Sequence, residues 1–90
     1  MNIKFLSIDG KDAYLIGYKL KISPSERAFL YEIATKNGAT IDELLSLLPS
    51  GVSRGNVAVR INAINKKSTA LSGRKLILFE NDKYIINPNM

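Results

Sequence analysis

From Tyr18 to Ile22 apolar and polar residues alternate strictly, with Lys19 and Lys21 separating Tyr18, Leu20 and Ile22. That is the period-two signature of a strand with one face buried and one wet. Upstream, Met1 to Ile8 carries Ile3, Phe5, Leu6 and Ile8 and reads as a strand, with Asp9-Gly10-Lys11-Asp12 as its turn and a return through Ala13 to Ile16 before Gly17 breaks the run. Residues 1–22 are therefore expected to form a small antiparallel sheet.

The period changes at Ser23-Pro24-Ser25-Glu26. Here a Ser can cap, Pro occupies the first helical position, and a Glu three residues on can reach back to the Ser amide. Phe29, Leu30, Ile33 and Ala34 follow at helical spacing, and Asn37-Gly38 supplies a left-handed stop. Thr40-Ile41-Asp42-Glu43 repeats the capping box and opens a short helix through Leu44, Leu45, Leu47 and Leu48, which Pro49-Ser50-Gly51 ends. Ser53 is positioned to cap a third helix running to Lys67. Val57, Ile61 and Ile64 fall on it at i, i+4 and i+7 as one narrow apolar stripe. Ser68 to Gly73 reads as a loop. Leu76-Ile77-Leu78-Phe79, a turn at Asn81-Asp82, and Tyr84-Ile85-Ile86 give a closing hairpin within residues 74–87, ended by Asn87-Pro88.

Composition narrows the chemistry. The chain has 90 residues, room for a single domain, and contains no Cys, His or Trp. Disulfides, thiol catalysis and Cys/His zinc sites are excluded, and the usual general base near neutral pH is missing. Asp42 and Glu43 lie side by side in a helix's first turn, where the dipole favours acids, and face different ways, which makes a poor acid/base pair. Ser72-Gly73-Arg74-Lys75 is no phosphate-binding loop, because it precedes a strand instead of opening a helix. An enzyme is not expected, nor a cofactor. No secretory segment and no apolar run of membrane-spanning length occurs, so no membrane contact is expected within residues 1–90.

Charge is unevenly divided. Residues 1–45 carry six basic and six acidic side chains, so the whole net charge of +5 belongs to the remainder. There Arg54, Arg60, Lys66, Lys67, Arg74 and Lys75 follow one another with no acid between them. A local cationic field of this kind suits an anionic partner. With Val57 at 0° and about 100° per residue, Gly55, Val59, Asn62 and Lys66 of the third helix fall between about 140° and 200°, and Ala63 and Asn56 near 240° to 260°.

A short helix, a turn, a helix with a thin apolar stripe and an acid-free outer face, and then a hairpin specify an α+β fold of the winged helix-turn-helix kind. The third helix would enter the major groove of double-stranded DNA, with the hairpin on the backbone or an adjacent minor groove. Asn56, Val59, Asn62 and Ala63 are the candidate base contacts, since Asn pairs bidentately with adenine and Val or Ala methyls meet the thymine methyl. Arg54, Arg60, Lys66 and Lys67, with Arg74, Lys75 and Lys83 before and within the hairpin, are the candidate phosphate contacts, which give affinity and register without sequence reading. The alternative class is a protein-interaction module in which the exposed Val59 and Ala63 face meets a partner chain. Asn56, Asn62 and Asn65 each cost a few tenths of a kcal/mol of helix propensity relative to Ala, a cost that wants a reason. Tyr84 is expected to serve core or sheet packing.

Ile22-Ser23-Pro24-Ser25-Glu26-Arg27-Ala28-Phe29-Leu30, Thr40-Ile41-Asp42-Glu43-Leu44-Leu45, and Val57 through Lys67 together resemble the OmpR/PhoB-type winged-helix DNA-binding domain, with its L-T-x-x-E-x-x-L-L, S-R-E-x-L-L and V-D-V-H-I-x-x-L-R-x-K-L patterns. The resemblance runs over nearly the whole chain and lies mostly in core positions. It implies a transcriptional regulator in which Asn56, Val59, Asn62 and Ala63 match base- or phosphate-contacting places, and Arg60 and Lys66 the basic flank. The chain departs from the pattern in three places. Gly55 stands where an Arg is usual, Asn62 and Ala63 replace an Arg pair, and Glu80-Asn81-Asp82-Lys83-Tyr84 replaces the wing's R-G-x-G-Y. Each lost phosphate contact removes about one unit of salt slope, so a lone copy should bind DNA modestly, and a homodimer on DNA stays open. Met1 directly before the first strand resembles the one-component, ToxR-like branch. That implies a cytoplasmic location, or the cytoplasmic part of a longer membrane-anchored regulator.

Overall fold

Both capping boxes form as the sequence dictates. A computed structural model describes residues 2, 3, 5–9 and 12–89. In it helix α1 (Pro24–Thr35) begins with the Glu26 amide donating to Ser23 Oγ at 3.2 Å and the Ser23 amide donating to Glu26 Oε1 at 2.8 Å. Helix α2 (Ile41–Leu45) repeats this between Thr40 and Glu43, at 3.1 and 2.9 Å. Each box satisfies amides that a helix start leaves without partners. After α1 the chain turns through Asn37 and Gly38, both at positive φ. Gly38 is required there by its φ of +128°, while a Cβ would make only ordinary contact with Ile85 Cγ2 at 3.4 Å.

Four short strands precede the helices: β1 (Asn2–Ile3), β2 (Leu6–Asp9), β3 (Asp12–Leu15) and β4 (Tyr18–Leu20), hydrogen-bonded in that order and all antiparallel. The three-strand sheet β2-β3-β4 carries β1 as a two-residue extension. The single strand expected over residues 1–8 is thus two strands folded back on each other, with Ile3 opposite Leu6. The next expected turn has Asp9 and Asp12 as cross-strand partners, while Gly10 and Lys11 lie outside the described residues. Ile16 and Gly17 form the β3–β4 turn, both left-handed.

Helix α3 (Gly55–Ser72) departs from expectation at both ends. Ser53 does not cap it; Arg54 holds the N-cap position with helical backbone angles and no side-chain cap bond, and Ser53 Oγ instead accepts from Asn56 Nδ2 at 3.2 Å. At the other end the helix continues past Lys67 through the expected loop, stopping only at Gly73, whose φ is 76°. Ser68 and Ser72, which favour loops by propensity, are accommodated because their hydroxyls donate to the Arg74 and Ser68 carbonyls at 2.8 and 2.9 Å.

Strands β5 (Ile77–Glu80) and β6 (Lys83–Ile86) close the chain as a hairpin whose two-residue turn, Asn81-Asp82, is left-handed at both positions. Such a turn matches the twist of the strands it joins. Between α1 and α2, Ala39 exchanges two backbone hydrogen bonds with Tyr84 of β6, at 2.9 and 2.8 Å. The hairpin is thereby tied to the helical layer. One core unites the layers: Leu6, Ile8, Leu15 and Leu20 from the sheet, Phe29, Leu30 and Ile33 from α1, Leu44 from α2, Val57, Ile61 and Ile64 from α3, and Leu76 and Ile77 at the hairpin. The apolar stripe read on the third helix is fully used. No helix of the described residues is long and apolar enough to cross a membrane.

Candidate nucleic-acid interface

Two flanks of α3 are occupied and the face between them is free. On the first flank Arg60 and Lys67 meet the start of α1. Arg60 Nε donates to Ser25 Oγ at 3.2 Å and its Nη1 to the Asn56 carbonyl at 3.3 Å, while Lys67 Nζ donates to Glu26 Oε1 at 3.0 Å. On the second flank Asn65 stands against β5, its Nδ2 donating to the Ile77 carbonyl at 2.9 Å and its Oδ1 accepting the Ile77 amide at 2.8 Å. The open face carries Gly55, Ala58, Val59, Asn62, Lys66 and Thr69, all exposed, and α3 contains no carboxylate.

The four candidate base-contacting residues therefore divide. Asn62 and Val59 stand on the open face, Val59 with 65% of its surface exposed. Asn56 and Ala63 are half-buried at the margin nearer α1. Asn65, weighed earlier only as one of three costly Asn residues, is buried, and its cost is repaid by acting as a one-residue strand partner to Ile77. Nothing near it in sequence signals this, because Ile77 is twelve positions away.

The candidate phosphate contacts divide as well. Lys66 is exposed and has no ion pair among the described residues. Arg60 is held beside the open face by Ser25. Arg54 forms an ion pair with Asp42 at the start of α2. Arg74 and Lys75 follow the far end of α3, about 27 Å from Arg54 along the helix axis, and Arg74 donates to the Asn89 carbonyl at 2.6 Å. Lys83 is the register partner of Glu80 on the hairpin, next to Asp82. The seven cations are not gathered into one patch.

Among the described residues Lys67 and Glu26 form the most buried ion pair, with Glu26 only 6% exposed. Burial pushes the Glu26 carboxyl up, yet the Ser23 amide and the Lys67 ammonium together outweigh it and hold the group below its ordinary value. Glu26 thus serves both as the capping acid of α1 and as the anchor of α3. Only the first role was legible, since Lys67 lies 41 positions away.

The hairpin tip leans toward the start of α2, where Thr40, Ile41, Asp42, Arg54, Phe79 and Asp82 line a shallow cleft. Phe79 is half exposed and its ring centroid lies 4.8 Å from that of Tyr84, tilted by 55°. Tyr84 packs on the core, as expected of it. Among the described residues no group of three His, Cys, Asp or Glu is placed to hold a metal ion. The chain matches none of the protein-family models, curated proteins or solved structures compared with it.

Proposed function

We propose that this chain is a winged helix-turn-helix domain that binds duplex DNA as a transcriptional regulator, with α3 in the major groove. The observation that carries the proposal is the open face of α3, free of carboxylates and unpacked along its length, with Asn62, Val59 and Lys66 pointing from it. The order of α1, the Ala39 bridge to β6, α2, α3 and the hairpin supports the winged-helix assignment.

On this reading Asn62 supplies the bidentate amide for adenine and Val59 the methyl surface for thymine. Gly55 and Ala58 keep the face low enough for close approach. Lys66 and Arg60 neutralise phosphates to either side, and Ser25 pre-positions the Arg60 guanidinium so that less rotamer entropy is lost on binding.

One observation favours a second reading. Val59 is an exposed branched apolar residue, and a groove in a partner protein would bury it as readily as a thymine methyl would meet it. Titrating labelled duplexes over a salt series separates the two. The DNA reading requires binding that weakens with salt, and a loss of about two units of salt slope in an Arg60→Ala, Lys66→Ala double variant. No binding at low salt, or an unchanged slope in that variant, overturns it in favour of the protein partner.

A further inference from the structure

We infer that the nucleic-acid backbone runs along the β4 and α1 side of α3, with Lys21 as a phosphate contact, and that the hairpin tip stands off the nucleic acid. The inference rests on the DNA-binding reading and deepens it by giving the bound backbone a side.

The two flanks of α3 differ in charge. Beyond the Arg60 and Lys67 flank lies a cleft between β4 and the second half of α3, lined by Lys19, Leu20, Lys21, Lys67, Ala70 and Leu71 and by no carboxylate. Lys19 is paired with Asp12 at 3.2 Å and Lys67 with Glu26, whereas Lys21 is exposed and has no ion pair among the described residues. Glu26 is buried and Asp12 is engaged by Lys19, so Lys21 is a cation without an ion pair that this flank shows to an approaching polyanion. Arg60 and Lys67 are about 10 Å apart along the helix axis, the axial rise of about three nucleotides of one strand. A single strand's phosphates can therefore meet Arg60, then Lys67, then Lys21 in succession.

The hairpin flank has the opposite character. Asp42, Glu80 and Asp82 gather there against Arg54 and Lys83, and Asp42 already occupies Arg54. Glu80 and Asp82 are exposed and have no ion pair among the described residues. A phosphate chain laid over this tip would meet two exposed carboxylates that no ion pair offsets, a repulsion that the basic flank avoids. On this inference the hairpin stands off the backbone, where Lys83 was expected to meet it.

The test uses a labelled mixed-sequence duplex and the full chain, with circular dichroism to verify that each variant folds. One phosphate contact contributes about 0.9 to the salt slope, which near 0.1 M salt is about an eightfold change in affinity. Lys21→Ala is expected to weaken binding by about that factor and to lower the slope by about 0.9, while Lys83→Ala and Asp82→Asn change affinity by less than about twofold. An unchanged affinity in Lys21→Ala, or a tightening in Asp82→Asn together with a loss in Lys83→Ala, overturns the inference and puts the hairpin on the backbone. If the wild-type chain binds no duplex at low salt, the DNA reading itself falls and this inference with it. Binding that depends on Lys66 and not on Lys21 removes the inference alone.

Discussion

Replacing Asn65 by Ala tests how the hairpin is held to α3. The Asn65 side chain is 9% exposed and makes two hydrogen bonds with the backbone of Ile77, itself 2% exposed. Truncation leaves a buried N–H and a buried C=O without partners, each costing about 1–3 kcal/mol. Ala returns a few tenths of a kcal/mol of helix propensity. The net loss is then about 2–5 kcal/mol, a large share of the stability of so small a domain. For a chain of this size, 1 kcal/mol corresponds to about 4–8 °C in Tm, so the expected fall is at least about 8 °C. Urea titration followed by far-UV circular dichroism measures it, with Asn62→Ala, on the open face of the same helix, as the matched control at within about 0.5 kcal/mol. Hydrogen exchange adds a local readout: the Ile77 amide should lose protection in the Asn65 variant before the α1 amides do. If Asn65→Ala costs no more than Asn62→Ala, the side chain is not the strand partner described, and the hairpin is held by apolar packing alone.

Two further outcomes follow from the same structure. Because the Glu26 carboxyl is held below its ordinary value of 4.5, its contribution to stability is fully present above that pH and is lost as pH falls through the lowered value; stability measured by urea titration should fall more steeply on the acid side of 4.5 in the wild type than in Glu26→Gln, and parallel curves would refute the assignment. Ile16, a β-branched residue at φ 51° with half its surface exposed, carries a left-handed strain of about 1–2 kcal/mol; Ile16→Asn should raise Tm by several degrees in a thermal melt, and a lower Tm would show that the exposed Ile side chain contributes more than its backbone costs.

What could be read in the sequence was whatever closes within a few residues. The two capping boxes, the left-handed Asn37-Gly38 stop and the Asn81-Asp82 hairpin turn each have all their partners within about four positions, and each formed as expected. The stripe of Val57, Ile61 and Ile64 was legible for a related reason, since helical period alone assigns the buried side. The features that escaped are those whose partner is remote in the chain. Asn65 needs Ile77, Glu26 needs Lys67, and the continuation of α3 through Ser68 needs the Arg74 carbonyl, which only the folded turn supplies. The β1–β2 fold-back was hidden differently, because residues 1–8 contain no Gly or Pro to mark the reversal. For the candidate site, the acid-free face of α3 was visible from spacing. The sidedness of the charges around it was not, because Lys21 and Lys67 lie 46 positions apart and meet only across the β4–α3 cleft.

The bridge between Ala39 and Tyr84 is made of main-chain atoms alone, and the bonds that fix the base of the hairpin also end on the main chain of Ile77. The pose of the hairpin is thus set without any side chain from its tip. Glu80 and Lys83 can change sign, size or polarity, and Asp82 can become Asn, while the left-handed turn and the strands that carry them stay where they are. Geometry and charge are inherited separately in this part of the molecule, so a lineage or a designer can retune what the tip attracts or repels by substituting there, with the scaffold acting as a fixed mount.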